Sequence, residues 1–395
     1  MKQPVLIWFL LIILVSNCID PYHLELEDYQ SLLVVEAMIT DELASNTIKI
    51  SRTFLDVNAS PVGVAHANVS VADEIGVITV FHELEPGLYK SDSTQFRGRI
   101  GGTYTLHIST EDGLEYISDG CTMTEVPRID SVYYELDTDL FENGELEEEG
   151  LRIFLDTDNQ DEECQFFRWE FEEVWKFRVP YPIFHEDLGY KLYKTAQVEN
   201  DICWKYELSK QILIHSSTEQ SSGLISRKPI HFIASGRSNR LLKQYSILVR
   251  QFSLSQEEFS FWENLKEITE SGGEIFEKQP FPIEGNIRCI NNDHEKVLGY
   301  FQVSAVQSQR MYITQSQANE LNLPVYEYPC ERIIYRNRVL HERLYDNLLK
   351  DGYVLFWVEE DDFGFPISWQ FTSDECADCS LTGKPERPDF WVDME

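Results

Sequence analysis

The chain has 395 residues, with 68 acidic against 33 basic side chains and a formal net charge of −35. So acidic a surface disfavours nucleic acid, whose binding rests on Lys and Arg displacing counterions. It also repels anionic lipid headgroups. With 43% hydrophobic residues, among them 23 Phe, 19 Tyr and 8 Trp, the composition suits sheets with large buried cores rather than disorder.

The first segment reads as an export signal rather than a piece of fold. Met1 and Lys2 give a basic start, Pro4 to Val15 an apolar run, and Val15-Ser16-Asn17-Cys18 a cleavage region ending in cysteine. The run is shorter than the roughly 20 residues a spanning helix needs. The order is that of a bacterial lipoprotein signal over residues 1–17, with Cys18 as the lipidated first residue of the mature chain. Asn17 departs from the usual Gly, Ala or Ser; the alternative is an ordinary secretory signal with a chance cysteine, or an uncleaved anchor. Residues 18–30 then read as a tether, and no later run is long enough to span a membrane. At about 150 residues per domain the length suggests two or three domains.

Residues 31–126 carry many short strand signals. Leu32–Thr40 is an apolar run, Thr47–Ser51 and Ala67–Asp73 alternate with period two, and Val77–Phe81 returns after a turn at Glu74-Ile75-Gly76. Gly87–Lys90, Tyr104–Ile108 and Glu115–Ser118 follow, the last after a turn at Glu111-Asp112-Gly113. Short strands with turn signals between them predict a β-sandwich, immunoglobulin-like or transthyretin-like. Val126–Asp130 marks the expected boundary.

Residues 127–395 read as a larger β-rich α+β domain. Ser131–Tyr134, Leu151–Leu155, Gln165–Phe177 and Arg240–Gln251 are strand regions, and His185–Ile202 is irregular. Ser255-Gln256-Glu257-Glu258 is a capping box, in which the Ser side chain and the Glu three residues on satisfy orphan amides at a helix start. Phe261, Trp262, Leu265 and Ile268 then share a helical face, closed by Gly272-Gly273. Asn286–Ile290 and Val297–Val306 read as strands, and a second helix is predicted over Asn337–Leu349 before Gly352. The predicted architecture is therefore mainly β with two helices. The densest acidic runs, Glu142–Gly150 and Glu359–Asp362, read as solvated loops.

Eight cysteines occur, and with Cys18 lipidated seven remain. An exported chain meets an oxidising compartment, so disulfides are allowed, and an odd count leaves at least one thiol unpaired. Cys376-Ala377-Asp378-Cys379 has the spacing of half a zinc site or a redox dithiol, but no second pair shares it and the context is not strand-to-helix. The compartment favours disulfide bonding for Cys376 and Cys379, as one local bridge or as two separate ones.

Other chemistry is weakly signalled. Asp156, Asp158, Asp161, Glu162 and Glu163 hint at a calcium loop, yet Gln160 sits at the third ligand position and Asp161 replaces the required Gly. His66, His82 and His107 fall in the sandwich at no metal spacing. No nucleophile elbow, zinc-protease helix, phosphate loop or dinucleotide fingerprint is present, so no catalytic residue, cofactor or metal is expected. Trp169, Trp175, Trp204, Trp357 and Trp369 are candidates for a binding cleft, with core packing the default for each.

Two stretches carry a family likeness. They are Phe252–Phe259 with Phe261-Trp262, Pro282–Cys289 and Leu298-Gly299-Tyr300-Phe301, and the C-terminal Cys376–Cys379 with Pro388-Asp389-Phe390-Trp391. With the signal and the sandwich start, the chain resembles the Bacteroidota envelope lipoproteins classed as domain of unknown function 4249, over nearly all of the mature sequence. Ala67–Val71 and Gly102–Leu106 are also similar to carboxypeptidase regulatory-like and transthyretin-like accessory sandwiches. The signal before Cys18 and the lack of catalytic motifs predict a non-catalytic protein, lipid-anchored to the outer membrane, and the resemblance implies the same envelope location. It implies ligand or partner binding beside a TonB-dependent receptor, and no site residue. A secreted hydrolase on polysaccharide or peptide, or a surface adhesin, is the alternative.

Overall fold

The computed structural model describes residues 31–53, 61–92, 96–141, 146–159, 164–187, 192–194, 200–218, 223–270, 283 and 285–394. The signal, Cys18 and the tether lie outside them, as do Gly272-Gly273 and Asp161–Glu163.

The first nine strands are Leu33–Thr40 (β1), Thr47–Arg52 (β2), Val62–Gly63 (β3), Asn68–Asp73 (β4), Ile78–Glu85 (β5), Leu88–Lys90 (β6), Thr103–Ser109 (β7), Glu115–Ser118 (β8) and Cys121–Thr122 (β9). Each predicted strand of the first block is present. Alternation sets which side chains go inward: Leu33, Val35, Ala37 and Ile39 of β1 are buried, as are Val69 and Val71 of β4. β5 makes the sandwich possible. Its first half pairs with β4 and its second half with β6, so one strand passes between the two layers. The enclosed core joins Leu33, Ile48 and Ile50 from one layer to Val71, Leu106 and Ile108 from the other.

The next strands are Ile129–Phe141 (β10), Leu146–Asp158 (β11), Phe166–Arg178 (β12), His185–Asp187 (β13), Leu192–Lys194 (β14), Ile202–Leu208 (β15), Leu213–Ser216 (β16), Leu224–Ala234 (β17) and Gln244–Leu254 (β18). Helix α1 covers Gln256–Glu270 and is followed by Ile287–Cys289 (β19), Val297–Ser304 (β20) and Val306–Thr314 (β21). Helix α2, Gln315–Glu320, precedes Arg332–Tyr335 (β22); helix α3, Glu342–Lys350, precedes Tyr353–Glu360 (β23) and Pro366–Ser373 (β24). The fold is mainly β, with three α-helices among the described residues rather than the expected two. The added helix is α2, which opens on a second capping box between Thr314 and Gln317. α3 starts five residues later than predicted, because Asn337 caps a turn through its side chain and its carbonyl accepts from Trp369. The acidic run at Glu147–Glu149 is not a loop but part of β11, paired with β10. The strand predicted from Arg240 begins only at Gln244, after a 3-10 turn over Asn239–Leu241.

The larger correction concerns the boundary at residues 126 and 127. β19 and β20 belong by sequence to the second block, yet they form the two edges of the first sheet, in the order β19-β8-β7-β4-β5-β6-β2-β1-β20. β20 runs parallel to β1 over eight residue pairs, from Leu33 with Val297 to Thr40 with Ser304. Parallel neighbours need a crossover, and here the crossover contains all of β2 to β19. Gly299 makes the approach possible: its φ is +93°, and a Cβ there would lie 2.0 Å from the Val35 carbonyl oxygen. The remaining large strands form the sheets β10-β11-β17 and β15-β12-β18-β21. Their inner faces, with Leu151, Ile153, Phe167, Trp169, Tyr245 and Ile247, share one continuous core with the sandwich. β22, β24 and β23 form a small sheet whose own core is Leu355, Val358, Trp369 and Phe371.

The capping box at Ser255 also staples the seam. Glu258 Oε2 accepts from the Ser255 amide at 2.8 Å, and the Glu258 amide donates to Ser255 Oγ at 3.1 Å. The other carboxylate oxygen, Oε1, accepts from the Val303 amide of β20 at 3.0 Å. Burial pushes this carboxyl up to about 7, against the pull of the Val303 and Ser255 amides and of Arg168. A carboxyl raised in the folded state holds a proton that the unfolded chain has already released, so stability falls as pH rises between about 4.5 and about 7. Glu258→Gln keeps one of the two acceptor oxygens and removes the titration, so its pH-independent offset drops out of the comparison of slopes. Chemical denaturation from pH 4.5 to 8 is therefore expected to show the wild type losing about 3 kcal/mol more than the variant across that window; parallel curves would contradict this.

Candidate functional site

A cleft of about 850 Å3 lies between the β15 edge of the larger sheet and the C-terminal segment. Its floor comes from β12 and β15. Trp175 and Lys205 face each other across this pair, as do Phe177 and Cys203. Its opposite wall carries Tyr326, Tyr328 and Cys330, and Thr382 to Lys384 close one end. There the Trp204 and Lys384 backbones exchange two hydrogen bonds of 2.9 Å, which continue the sheet edge.

Two disulfides hold the walls together. Cys203 of β15 is bonded to Cys379, and Cys330 to Cys376. Cys376 and Cys379 are thus both oxidised as expected, and of the two arrangements left open the separate one forms. The bridges span 176 and 46 residues of sequence, and closing loops of that length removes substantial entropy from the unfolded chain. Cys121, Cys164 and Cys289 are free thiols, which fits the odd count. Burial pushes Cys121 and Cys164 up to about 12, so neither presents a thiolate at neutral pH.

Beneath the cleft sits a buried carboxylate with four polar contacts. Glu173 of β12 is 1% exposed. Its Oε1 accepts from Tyr245 Oη of β18 at 2.7 Å and lies 3.1 Å from His231 Nε2 of β17. Arg240, on the turn between β17 and β18, donates from Nε to Oε1 at 3.1 Å and from Nη2 to Oε2 at 3.2 Å. Burial alone would raise this carboxyl, but His231 and Arg240 outweigh it and hold Glu173 at about 2. Arg240 also bonds Glu207 and lays its guanidinium over the Trp175 ring, 4.4 Å from the centroid. Trp175 donates to Asn239 Oδ1 at 2.9 Å, Asn239 donates to Tyr328 Oη at 3.1 Å, and Tyr328 donates to the Arg178 carbonyl at 2.9 Å. One chain of contacts therefore runs from the Glu173 hub to both walls, and the rings are preset.

A second cavity of about 750 Å3 lies between α1 and the β1–β20 face. Trp262, Leu265 and Ile268, the apolar stripe read from the sequence, line it with Met38 and Leu298. Arg168 enters there between rings, 4.3 Å from the Trp262 centroid and 4.9 Å from that of Phe252, and pairs with Glu170.

The other sequence candidates separate. Of the five tryptophans, Trp175 lines the cleft floor with its side chain. Trp204 points to the opposite face of β15, against Trp391 and Val174. Trp169 is fully buried with its indole on Gln251, Trp369 is core of the small sheet, and Trp357 packs edge-on to Phe184. Asp156 serves Tyr133 and the Arg227 amide, and no metal-ligating cluster occurs among the described residues. His82 and His107 are exposed, and exposed His66 lies 3.4 Å from Glu83. Lys205, Arg240 and Glu173 were not singled out by sequence reasoning. They lie 32 to 67 residues apart and sit singly in strands or a turn with no motif, so no local signal marks them.

The chain belongs to the family described as Domain of unknown function (DUF4249), whose model matches residues 19–310. The match ends within β21, so the wall carrying Tyr326 and Cys330 and the Cys376–Cys379 stretch lie beyond it, and the likeness does not extend over the whole mature chain. No curated protein matches this sequence.

Removing the Glu173 carboxylate leaves the buried Tyr245 hydroxyl without its acceptor and Arg240 with Glu207 alone. Glu173→Ala is expected to cost about 3–5 kcal/mol in urea denaturation at pH 7, the range for breaking a buried pair from one side. In the wild type this stabilisation is present above the ordinary carboxylate range and is lost as pH falls toward about 2. A loss below 1 kcal/mol would show that the hub does not set the cleft.

Proposed function

We propose that the protein is a non-catalytic, lipid-anchored component of the cell envelope that binds a ligand in the disulfide-closed cleft and serves as accessory to a TonB-dependent transporter of the outer membrane. The observation that carries this reading is the joining of the cleft walls by Cys203–Cys379 and Cys330–Cys376. Such bridges form and persist in oxidising compartments outside the cytosol. The signal pattern before Cys18 supports the same compartment, and a multiply acylated Cys18 would hold the chain firmly, since stable anchoring takes more than one acyl chain.

The cleft supports binding rather than chemistry. Trp175 and Tyr328 are locked by hydrogen bonds and the cation Arg240 is spent on Glu173 and Glu207, which suits a preformed pocket. Membership of the family adds no activity to this reading. A transporter accessory needs no basic patch, because lipid supplies membrane residence and the acidic surface keeps the folded part off the headgroups.

Detergent extraction of the native envelope, followed by purification on a C-terminal tag, tests the proposal. The expected result is a chain that labels with a fatty-acid probe, fractionates with the outer membrane and elutes with a β-barrel transporter, while Cys18→Ala neither labels nor stays with membranes. A labelled chain that elutes alone would remove the transporter role, and a labelled Cys18→Ala would remove the anchor.

A further inference from the structure

We propose that the disulfide-closed cleft takes a small ligand combining a flat apolar body with a carboxylate, the body lying against Tyr326 and Tyr328 and the carboxylate meeting Lys205. The inference rests on reading this cleft as the binding site and adds the class of ligand.

The cleft contains a cation without a counter-ion. Lys205 lies half-buried on the floor, with its amine 5.1 Å from the centre of the Phe177 ring. Among the described residues it makes no ion pair and no hydrogen bond, in a chain with 68 acids for 33 bases. Its neighbours explain this. Glu207, on the same strand face, is taken by Arg240, and Arg237 at the rim is taken by Glu148. Glu375 lines the cleft but is exposed and lies beyond ion-pair reach.

Leaving an ammonium half out of water with no partner is costly, and the amine responds. Burial pushes it below the ordinary lysine range, Arg240 adds to the shift, and Glu375 and Glu207 oppose it. An incoming anion removes that penalty, whereas a neutral ligand leaves it in place. Tyr328 is fixed by Asn239 and Arg178 and stands edge-on to Tyr326, with centroids 5.2 Å apart. The Tyr326 hydroxyl has no hydrogen-bond partner among the described residues, so the same wall offers a ring and a spare donor. A carboxylate suits a single ammonium, because Lys acts as a point charge while phosphate sites gather several donors.

Titration calorimetry of the full-length detergent-solubilised protein with 2-naphthoate, 2-naphthamide and acetate tests this. Naphthoate is expected to bind about tenfold more tightly than naphthamide, corresponding to one half-buried charge pair, and acetate not measurably. Lys205→Met should erase the preference for naphthoate and Lys205→Arg should retain it. Lys49→Met, at the rim of the second cavity, should leave it unchanged. Equal binding of naphthoate and naphthamide, or a preference that survives Lys205→Met, overturns the ligand class alone. Binding of neither aromatic probe overturns the cleft as a binding site together with it.

Discussion

The architecture of the second half turns on one buried carboxylate. Glu173 collects a tyrosine from β18, a histidine from β17 and an arginine from the turn between them. Those groups come from two different sheets, β10-β11-β17 and β15-β12-β18-β21. A buried charge is tolerated only when its lone pairs are satisfied, so the sheets meet where all partners can reach it. The same constraint fixes Arg240 over Trp175, which fixes Asn239 and then Tyr328. The cleft is therefore a consequence of how an interior charge is satisfied, and its rings are ordered before any ligand arrives.

The sandwich and the larger sheets are not separable pieces. The chain leaves β1 and returns some 260 residues later as its parallel neighbour β20, with α1 pinned to that strand through Glu258. Ser253 of β18 donates to the Thr124 carbonyl at 2.6 Å and accepts from Ala305, and Gln251 donates to the Pro127 carbonyl at 2.9 Å. The segment that reads as a linker is thus hydrogen-bonded into the sheet behind it. The C-terminal segment is held to this body by the two disulfides, by the Trp204–Lys384 backbone bonds, by Tyr328 on Asn239 and Arg178, by Trp391 packed on Trp204 and Val174, and by the Lys176–Asp393 ion pair. It lies outside the span that matches the family model. The two disulfides staple this wall to the body, with the cleft between them.

Local order was legible in the residues. Period-two alternation located β2 and β4, and Ser255 with Glu258 marked the start of α1. The same rule applied to Thr314 and Gln317 would have found α2, whose six residues are too short to show a helical face. Long-range pairing was not legible. Nothing in Val297–Ser304 tells a returning edge strand of the first sheet from a strand of the second, because β20 and β18 are both buried along most of their length. The cysteine parity was readable, but the partners of Cys376 and Cys379 were not, since pairing depends on where Cys203 and Cys330 arrive in space. The cleft was hidden for the same reason: Lys205 is an ordinary strand residue until Glu207 is seen bonded elsewhere.

We propose an oxidised, lipid-capped mature chain, and cysteine mapping of protein taken from cell envelopes tests that directly. Denatured without reductant and alkylated, the mature chain should take label at Cys121, Cys164 and Cys289 and nowhere else. After reduction, Cys203, Cys330, Cys376 and Cys379 should label too, while the Cys18 thiol stays blocked. Alkylation of Cys18, or of Cys376 and Cys379 before reduction, would contradict it.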